Sequence, residues 1–220
     1  MTNEQRGKPD VAPEGLETLR LFLNTRDLEA GLDEFDEAGS LARWLREHEL
    51  LGPDETVGHD DVLRARELRE ALRSLLSERS EPGRASRAAQ SFNAAAQSAA
   101  PLQVEISPDA TVTLVATRSG APRALGRIVA AVAGYAGTPA WERLKICGNR
   151  ACQWAFYDHA RNKTGRWCNM ATCGNKAKAR SYRRRRSNTV TAGVAFDPGG
   201  RPGSPQTGLR RPAGDRQVPT

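Results

Sequence analysis

The sequence has no long apolar segment and no recognisable catalytic motif. Its longest unbroken run of apolar residues and glycine is Ile128–Gly137, much shorter than the roughly 20 residues of a membrane-spanning helix. Because no signal peptide or lipidation motif is visible either, we expect a soluble, cytoplasmic protein. No nucleophile–base pair and no phosphate-binding loop is present, so we expect no catalytic residue and a protein that is not an enzyme.

Acidic residues are almost absent from one part of the chain. Residues 145–186 contain 12 Lys and Arg but only Asp158 as an acid, which gives a net charge of +11. Residues 1–144 carry 17 basic and 23 acidic side chains, a net charge of −6. The rest of the chain adds +2, for a formal total of +7. An acidic region is therefore joined to a strongly basic one, which indicates a polyanionic partner for the basic part.

Cysteine is absent from residues 1–146 and 174–220. The four cysteines form two C-x4-C pairs separated by fifteen residues, namely Cys147 with Cys152 and Cys168 with Cys173. Each pair includes a Cys-Gly-Asn triplet, and glycine and asparagine both allow the tight turns that metal-binding loops need. Four thiolates in two pairs suit the tetrahedral coordination of one structural zinc ion, and they leave no open position for catalysis.

Other interpretations of the cysteines stay open at this point. Two disulfides are disfavoured because intracellular thiols are normally kept reduced. Unrelated buried cysteines would not all fall in one short stretch. A redox switch, in which oxidation of the clustered thiolates releases zinc, is an alternative function. His159 could replace one cysteine as a ligand, although a histidine beside an acid such as Asp158 is more often simply solvated.

The spacing of apolar residues predicts a mainly helical protein with one small β-hairpin, formed by Leu102–Ile106 and Val112–Ala116. Prolines and glycines are frequent near the C-terminus and large apolar side chains are few. That region therefore buries too little apolar surface to offset the conformational entropy that it would lose on ordering. We accordingly divide the chain into four parts: a flexible arm at 1–12, a helical domain at 13–144, a zinc module with a basic helix at 145–186, and a disordered tail at 187–220.

Capping and breaking residues suggest where the helices begin and end. Ser40 is the predicted N-cap of a helix at Leu41–Leu50, and Asp60 or Asp61 is the predicted cap of the helix that follows. The dipeptide Pro82-Gly83 is predicted to break that second helix.

Two further expectations concern contacts of the helical domain. Arg69 could hold an anionic ligand, but a structural ion pair is the favoured interpretation. Only a short turn separates the last helix of this domain from Cys147, so we expect the zinc module to dock near the helical domain.

The cysteine-rich stretch resembles the CGNR zinc finger. The resemblance rests on four groups of residues, which are Cys147-Gly148-Asn149-Arg150, Phe156 with Asp158 and Asn162, Arg166-Trp167-Cys168 with Met170, and Cys173-Gly174-Asn175 with Lys178. The sequence departs from the family at Ala160, where serine is common, at Gly165, where arginine is frequent, and at Lys176, which replaces the usual arginine. None of these departures affects a predicted metal ligand.

The upstream region resembles the ABATE domain, on the segments Leu21–Thr25 and Arg66–Leu72. Proteins with this architecture are classed as bacterial transcription regulators linked to stress responses. The resemblance therefore implies a zinc-binding transcription regulator whose partner is double-stranded DNA. The helical domain could also bind a small-molecule effector, although no sequence feature identifies one.

The basic residues of the zinc module are the candidates for phosphate contacts, because each such contact releases counterions from a nucleic acid. Those on loops are Arg150, Arg161, Lys163 and Arg166, and those on the predicted helix are Lys176, Lys178, Arg180, Arg183, Arg184, Arg185 and Arg186. The charge pattern alone supports RNA almost as well as DNA, so an RNA- or ribosome-associated protein is an alternative. The module also has five aromatic residues. Most of them are needed for its small core, and one could remain free to stack on a base.

Overall fold

The computed structural model describes residues 11–192, and side chains only at 11–13 and 15–185. Most of the predicted flexible arm at 1–12, and residues 193–220 of the predicted disordered tail, lie outside the described residues. The chain divides into two compact units between Ala179 and Arg180. The part of the last helix that follows Ala179 is therefore described by itself.

The described residues are mainly helical, as the sequence predicted. The helices are α1 Glu14–Asn24, α2 Ala38–Glu47, α3 His59–Glu78, α4 Pro82–Ala99, α5 Ala121–Tyr135 and α6 Asn175–Ala192. The strands are β1 Arg26–Asp27, β2 Leu32–Asp33, β3 Leu102–Ile106, β4 Val112–Ala116, β5 Leu144–Ile146 and β6 Ala155–Tyr157. A 3-10 turn at Trp141–Arg143 precedes β5, and a π-helical turn at Met170–Gly174 precedes α6. Helix α6 continues past Arg186, where the sequence-based boundary was placed.

The main hydrophobic core lies between α1, α2, α3, α4 and α5. Apolar side chains at spacings of three and four residues give each of these helices one buried face. Three aromatic rings fill the region between α1 and α2, where Phe22, Phe35 and Trp44 pack with centroids 5.6 to 5.8 Å apart. Leu144 and Ala155, from β5 and β6, are buried in the same core. The zinc module is thus continuous with the helical domain at this point.

Two helices begin earlier than their capping residues predicted. Ser40 is not the N-cap of α2 but its third residue, where Oγ accepts a hydrogen bond from the Glu37 backbone N–H at 3.2 Å. Asp61 has the same role in α3, where Oδ2 accepts from the Gly58 backbone N–H at 2.9 Å. In both cases the polar side chain reaches back to the cap residue, as the distal partner of a capping box does.

The dipeptide Pro82-Gly83 lies at the boundary between two helices, but it forms the first two residues of the second helix and is not part of the connection between them. Helix α3 ends at Glu78, and Pro82 is the first residue of α4. A proline at this position costs no hydrogen bond, because the first backbone N–H of a helix has no partner within the helix.

The hairpin of β3 and β4 has the predicted strand limits. The strands are antiparallel, and Leu102 pairs with Ala116 at the base of the hairpin. Helix α5 packs closely there, because a Cβ at Gly126 would lie 2.9 Å from the Ala116 Cβ and 3.0 Å from the Leu102 Cδ2. Only glycine fits this crossing without movement of its neighbours.

A buried ion pair holds the small ribbon of β1 and β2 against α3. Arg69 is 0% exposed and donates two hydrogen bonds to the Asp33 carboxylate, at 2.7 and 2.6 Å. It also donates to Thr25 Oγ1 at 2.9 Å and lies 5.3 Å from the centre of the Phe35 ring. Burial tends to raise the pKa of Asp33, but the hydrogen bonds and charge of Arg69, with the Phe35 backbone N–H and the Arg66 charge, together lower it. Arg69 is therefore part of a structural ion pair, the interpretation that the sequence favoured.

Replacing Asp33 by asparagine should leave the buried Arg69 charge without its main partner. We expect Asp33→Asn to lower the free energy of unfolding at pH 7 by about 3 kcal/mol, the usual cost of breaking a buried pair. The Asp33 pKa is lowered in the folded state, so its contribution exists above the ordinary value of about 3.9 and disappears as the pH falls through the folded value. Urea unfolding at pH 7 and at a series of lower pH values measures both effects. The control Asp60→Asn removes an exposed acid, and an equal loss in the two variants would contradict the assignment.

Candidate zinc centre and basic residues

The first cysteine pair sits in the loop that joins β5 to β6. These strands are antiparallel, with Ile146 opposite Ala155, so the residues between them return on themselves. Within the loop the Cys147 backbone N–H donates to the Trp154 carbonyl at 2.9 Å, and the Cys152 backbone N–H donates to the Asn149 carbonyl at 2.8 Å. This tight turn brings the two sulfurs to the same side of the hairpin end.

The second pair is positioned by the π-helical turn that contains Cys173. The Asn169 side chain caps the turn by accepting hydrogen bonds from the backbone N–H groups of Ala171 at 2.8 Å and Thr172 at 3.2 Å. Gly148 links the two pairs, since its N–H donates to the Arg166 carbonyl at 2.8 Å. A Cβ at Gly148 would lie 3.2 Å from both that carbonyl oxygen and the Trp167 ring, so the glycine permits this close approach.

The four cysteine sulfurs form one cluster. All four lie within 4.8 Å of one another. The Sγ atoms of Cys152 and Cys168 are 3.7 Å apart, and those of Cys168 and Cys173 are 3.9 Å apart. Four ligands at the usual zinc–sulfur distance of about 2.3 Å would be about 3.8 Å from one another in a tetrahedron. The donor set and its spacing therefore fit one structural zinc ion, which confirms the predicted cofactor.

The environment of the sulfurs favours a bound cation over free thiolates. Cys147, Cys152 and Cys173 are buried and Cys168 is half-buried. The hydrogen bond with Cys152 raises the pKa of Cys147 to about 11, and hydrogen bonds with Cys147 and Cys152 also raise the pKa of Cys168. Four buried thiolates would repel one another strongly, and a bound divalent cation removes this cost.

Further hydrogen bonds act on the sulfurs from outside the cluster. The side-chain amide of Asn149 donates to the Cys173 Sγ at 3.6 Å, and the backbone N–H groups of Asn149 and Cys168 lower the pKa of Cys147. Such donors orient metal ligands and stabilise their charged form.

His159 is exposed and lies outside the sulfur cluster, with its ring 5.0 Å from that of Tyr157. The alternative of a histidine ligand is therefore not supported.

Residues of the helical domain hold the zinc loop in place. Asn24, at the end of α1, forms two hydrogen bonds with the backbone of Ala155, donating at 2.9 Å and accepting at 2.8 Å. The buried Arg73 of α3 donates to the Gln153 carbonyl at 2.7 Å and to the Leu23 carbonyl at 2.6 Å. Gln153 follows a zinc ligand directly and has a positive φ of 48°. These contacts confirm that the zinc module docks on the helical domain.

The single acid of the zinc module has a structural role. Asp158 is buried, receives the Lys145 ammonium at 2.7 Å and accepts from the Gly165 backbone N–H at 2.8 Å. Burial tends to raise the pKa of Asp158, but the hydrogen bonds from Lys145 and from the backbone N–H groups of Ala160 and Gly165, with the Lys145 charge, together lower it. A Cβ at position 165 would lie 2.8 Å from the Asp158 carboxyl carbon, so the glycine permits this close approach. Nothing in the structure explains the departure from the family pattern at this position.

Most of the predicted phosphate-binding residues are exposed, namely Arg150, Arg161, Arg166, Lys176, Lys178, Arg180, Arg183, Arg184 and Arg185. Two of the predicted residues form ion pairs with acids outside the module, because Lys163 lies 2.6 Å from Glu142 and Lys176 is paired with Glu29. The side chain of Arg186 is outside the described residues. Sequence reasoning missed both ion pairs, since neither acid lies in the module.

One of the exposed arginines contacts an aromatic ring. The guanidinium of Arg166 lies 5.6 Å from the centre of the Trp167 ring, within the usual range of a cation–π contact.

Among residues 11–192, no helix is long and apolar enough to span a membrane.

Two family models match the chain. The model of the CGNR zinc finger matches residues 143–186, and the ABATE model, described as "Putative stress-induced transcription regulator", matches residues 21–139. The two matches confirm the architecture expected from the sequence resemblance. None of the curated proteins compared with the chain matches it.

Removing one sulfur should abolish zinc binding. We expect Cys173→Ser to lose the ion, because structural zinc sites typically contribute about 10–16 kcal/mol that depends on all four ligands. Native mass spectrometry should give one zinc per chain for the wild type and none for the variant. Far-UV circular dichroism should show that helices α1 to α5 stay folded. His159→Ala is the matched control and should keep its zinc, whereas full metal retention in Cys173→Ser would overturn the ligand assignment.

Proposed function

The chain belongs to the ABATE family and carries a CGNR zinc finger, and on this basis we propose that it is a regulator that binds nucleic acid through its zinc module, with double-stranded DNA as the favoured partner. The observation that carries the proposal is the run of exposed arginines on α6. The role in transcription and the link to stress rest on the family description, and the DNA preference is inferred from that role.

The charges of α6 suit contact with a phosphate backbone. At about 100° per residue, Arg180, Arg183 and Arg184 share one side of the helix. Each guanidinium can form charge-assisted hydrogen bonds to phosphate oxygens and release a condensed counterion. Helix α6 begins directly after the turn that contains Cys173, so zinc binding orders the residues from which this helix starts.

The zinc site itself supports a binding function rather than catalysis. Four sulfurs fill the coordination shell of zinc and leave no position for water or substrate. The ion would hold the two cysteine loops together and thereby fix the start of α6, while the basic side chains would contact the partner.

Removing two arginines from α6 should weaken binding mainly through electrostatics. With about five phosphate contacts, the wild type should show a log–log salt slope on the order of −4 to −5 on duplex DNA. The double variant Arg180→Ala/Arg183→Ala should reduce the magnitude of that slope by about two and lower the affinity for all sequences. Fluorescence anisotropy at several salt concentrations measures both quantities.

The matched control removes two exposed arginines from the helical domain, with Arg84→Ala/Arg87→Ala on α4. Its net charge equals that of the α6 variant, but its slope should stay at the wild-type value. Equal slopes in both double variants would show that only net charge matters and would contradict the assignment to α6. A competition between duplex DNA and structured RNA of equal length distinguishes the favoured partner from the RNA alternative.

The pairing of Lys176 with Glu29 yields a separate prediction. Exposed ion pairs are weak, so Glu29→Gln should free Lys176 for phosphate at little cost in stability. We expect a salt slope steeper by about one and an affinity increased by roughly threefold at low salt. Glu67→Gln, which removes another exposed acid, controls for the change in net charge. If both variants bind alike, Lys176 does not take part in binding.

A second function, thiol-based redox sensing, is favoured by one observation. Cys168 is half-buried while the other three sulfurs are almost fully covered, so an oxidant has access to one edge of the cluster. A peroxide would take two electrons from two thiolates, forming one disulfide and two hydroxide ions, and zinc would leave the remaining ligands. Zinc release at micromolar peroxide, followed with a chromogenic chelator, supports this role. Retention of zinc at millimolar peroxide contradicts it.

A further inference from the structure

Packing accounts for four of the five aromatic side chains in the zinc module. Trp154 and Phe156 are 8% and 6% exposed and belong to its interior. Tyr157 is half-buried and contacts the His159 ring. Trp167 is half-buried against the cysteine cluster. Each of these four side chains is therefore at least partly buried.

Tyr182 differs from the other four, because its side chain is 60% exposed on helix α6. Single exposed apolar side chains are ordinary on protein surfaces. An exposed aromatic ring among cations, however, is the combination with which proteins bind unpaired nucleotides, so the setting of Tyr182 on α6 points to a role for its ring.

The neighbours of Tyr182 on the helix indicate what the ring contacts. Arg183 and Arg185 lie about 100° and 60° away from Tyr182, on opposite sides of it, and both are exposed. Between Asn175 and Ser187, Tyr182 is the only residue with a large apolar side chain. A helix that docks in a protein groove presents apolar anchors at spacings of three, four and seven residues. Here positions 185 and 186 are both arginine, so a protein groove is a poor partner.

A single aromatic ring between two cations is suited to binding an unpaired base. Proteins that bind unpaired nucleotides combine cations along the backbone with aromatic rings on which bases stack. In a perfect duplex both faces of each base are covered by neighbouring bases, so a ring cannot stack without opening the helix. An unpaired base exposes its face at no such cost.

We propose that Tyr182 is a base-contacting residue, whose ring stacks on an unpaired nucleobase while Arg183 and Arg185 contact phosphates on either side. This inference rests on the proposed function and makes it more specific. The partner is a nucleic acid that presents at least one unstacked base, such as a bulge, a loop or a locally opened duplex.

The test uses the full-length, zinc-loaded protein and two DNA duplexes, one perfectly paired and one with a single bulged 2-aminopurine, an adenine analogue whose fluorescence reports stacking. The wild type should bind the bulged duplex about tenfold more tightly than the paired one and should quench the probe. Tyr182→Ala should lose this advantage without any change in salt slope, because stacking releases no counterions. Alanine also favours helix, so the substitution should not unfold α6.

Two further variants identify the part of the tyrosine that matters. Tyr182→Phe should retain both the tenfold preference and the quenching, because the ring remains. Arg183→Ala should reduce the slope by about one on both duplexes and leave the preference intact. The same duplexes made of RNA show whether the base is read in DNA, in RNA or in both.

Each other outcome has a defined meaning. If the wild type binds neither duplex, the proposed function itself fails. If it binds both but Tyr182→Ala behaves like the wild type, the stacking contact is overturned. If Tyr182→Phe loses as much affinity as Tyr182→Ala, the hydroxyl group makes the contact and the stacking inference is also overturned.

Discussion

The confinement of four cysteine sulfurs within 4.8 Å is the constraint on which the rest of the zinc module depends. Buried thiolates at this distance repel one another, so a bound cation such as zinc stabilises the deprotonated cluster. The ion joins the end of the β5–β6 hairpin to the turn before α6. Without it, few contacts would hold these segments together, because the module has a small core of its own.

The sequence predicted much of this arrangement because the relevant signals are local. Cysteine spacing identified the ligands Cys147, Cys152, Cys168 and Cys173, and the period of apolar residues placed α1 to α5 and the β3–β4 hairpin. Helix starts were less accurate, since Ser40 and Asp61 act from the third helical position and resemble caps in the sequence. The short strands β5 and β6 were not predicted, because three residues carry almost no periodic signal.

Contacts between distant residues could not be predicted from one sequence. Asn24 looks like a helix terminator, yet its amide bonds the backbone of Ala155, 131 residues away. Arg73 looks like a surface cation of an amphipathic helix, yet it is buried and holds the Gln153 carbonyl. Both residues tie the ABATE domain to the zinc loop. A change in the packing of α1 or α3 would therefore reach the metal site through two short hydrogen-bonded connections.

The most direct test of this account measures duplex DNA binding of one full-length sample before zinc removal, after chelation, and after zinc is restored. If the ion orders the segment from which the basic helix starts, affinity should fall at least tenfold as zinc is lost and return in proportion to the zinc bound. Circular dichroism of the same samples should show that α1 to α5 stay folded throughout. Binding that stays unchanged in the zinc-free protein would contradict the account, because the basic residues would then act without the metal centre.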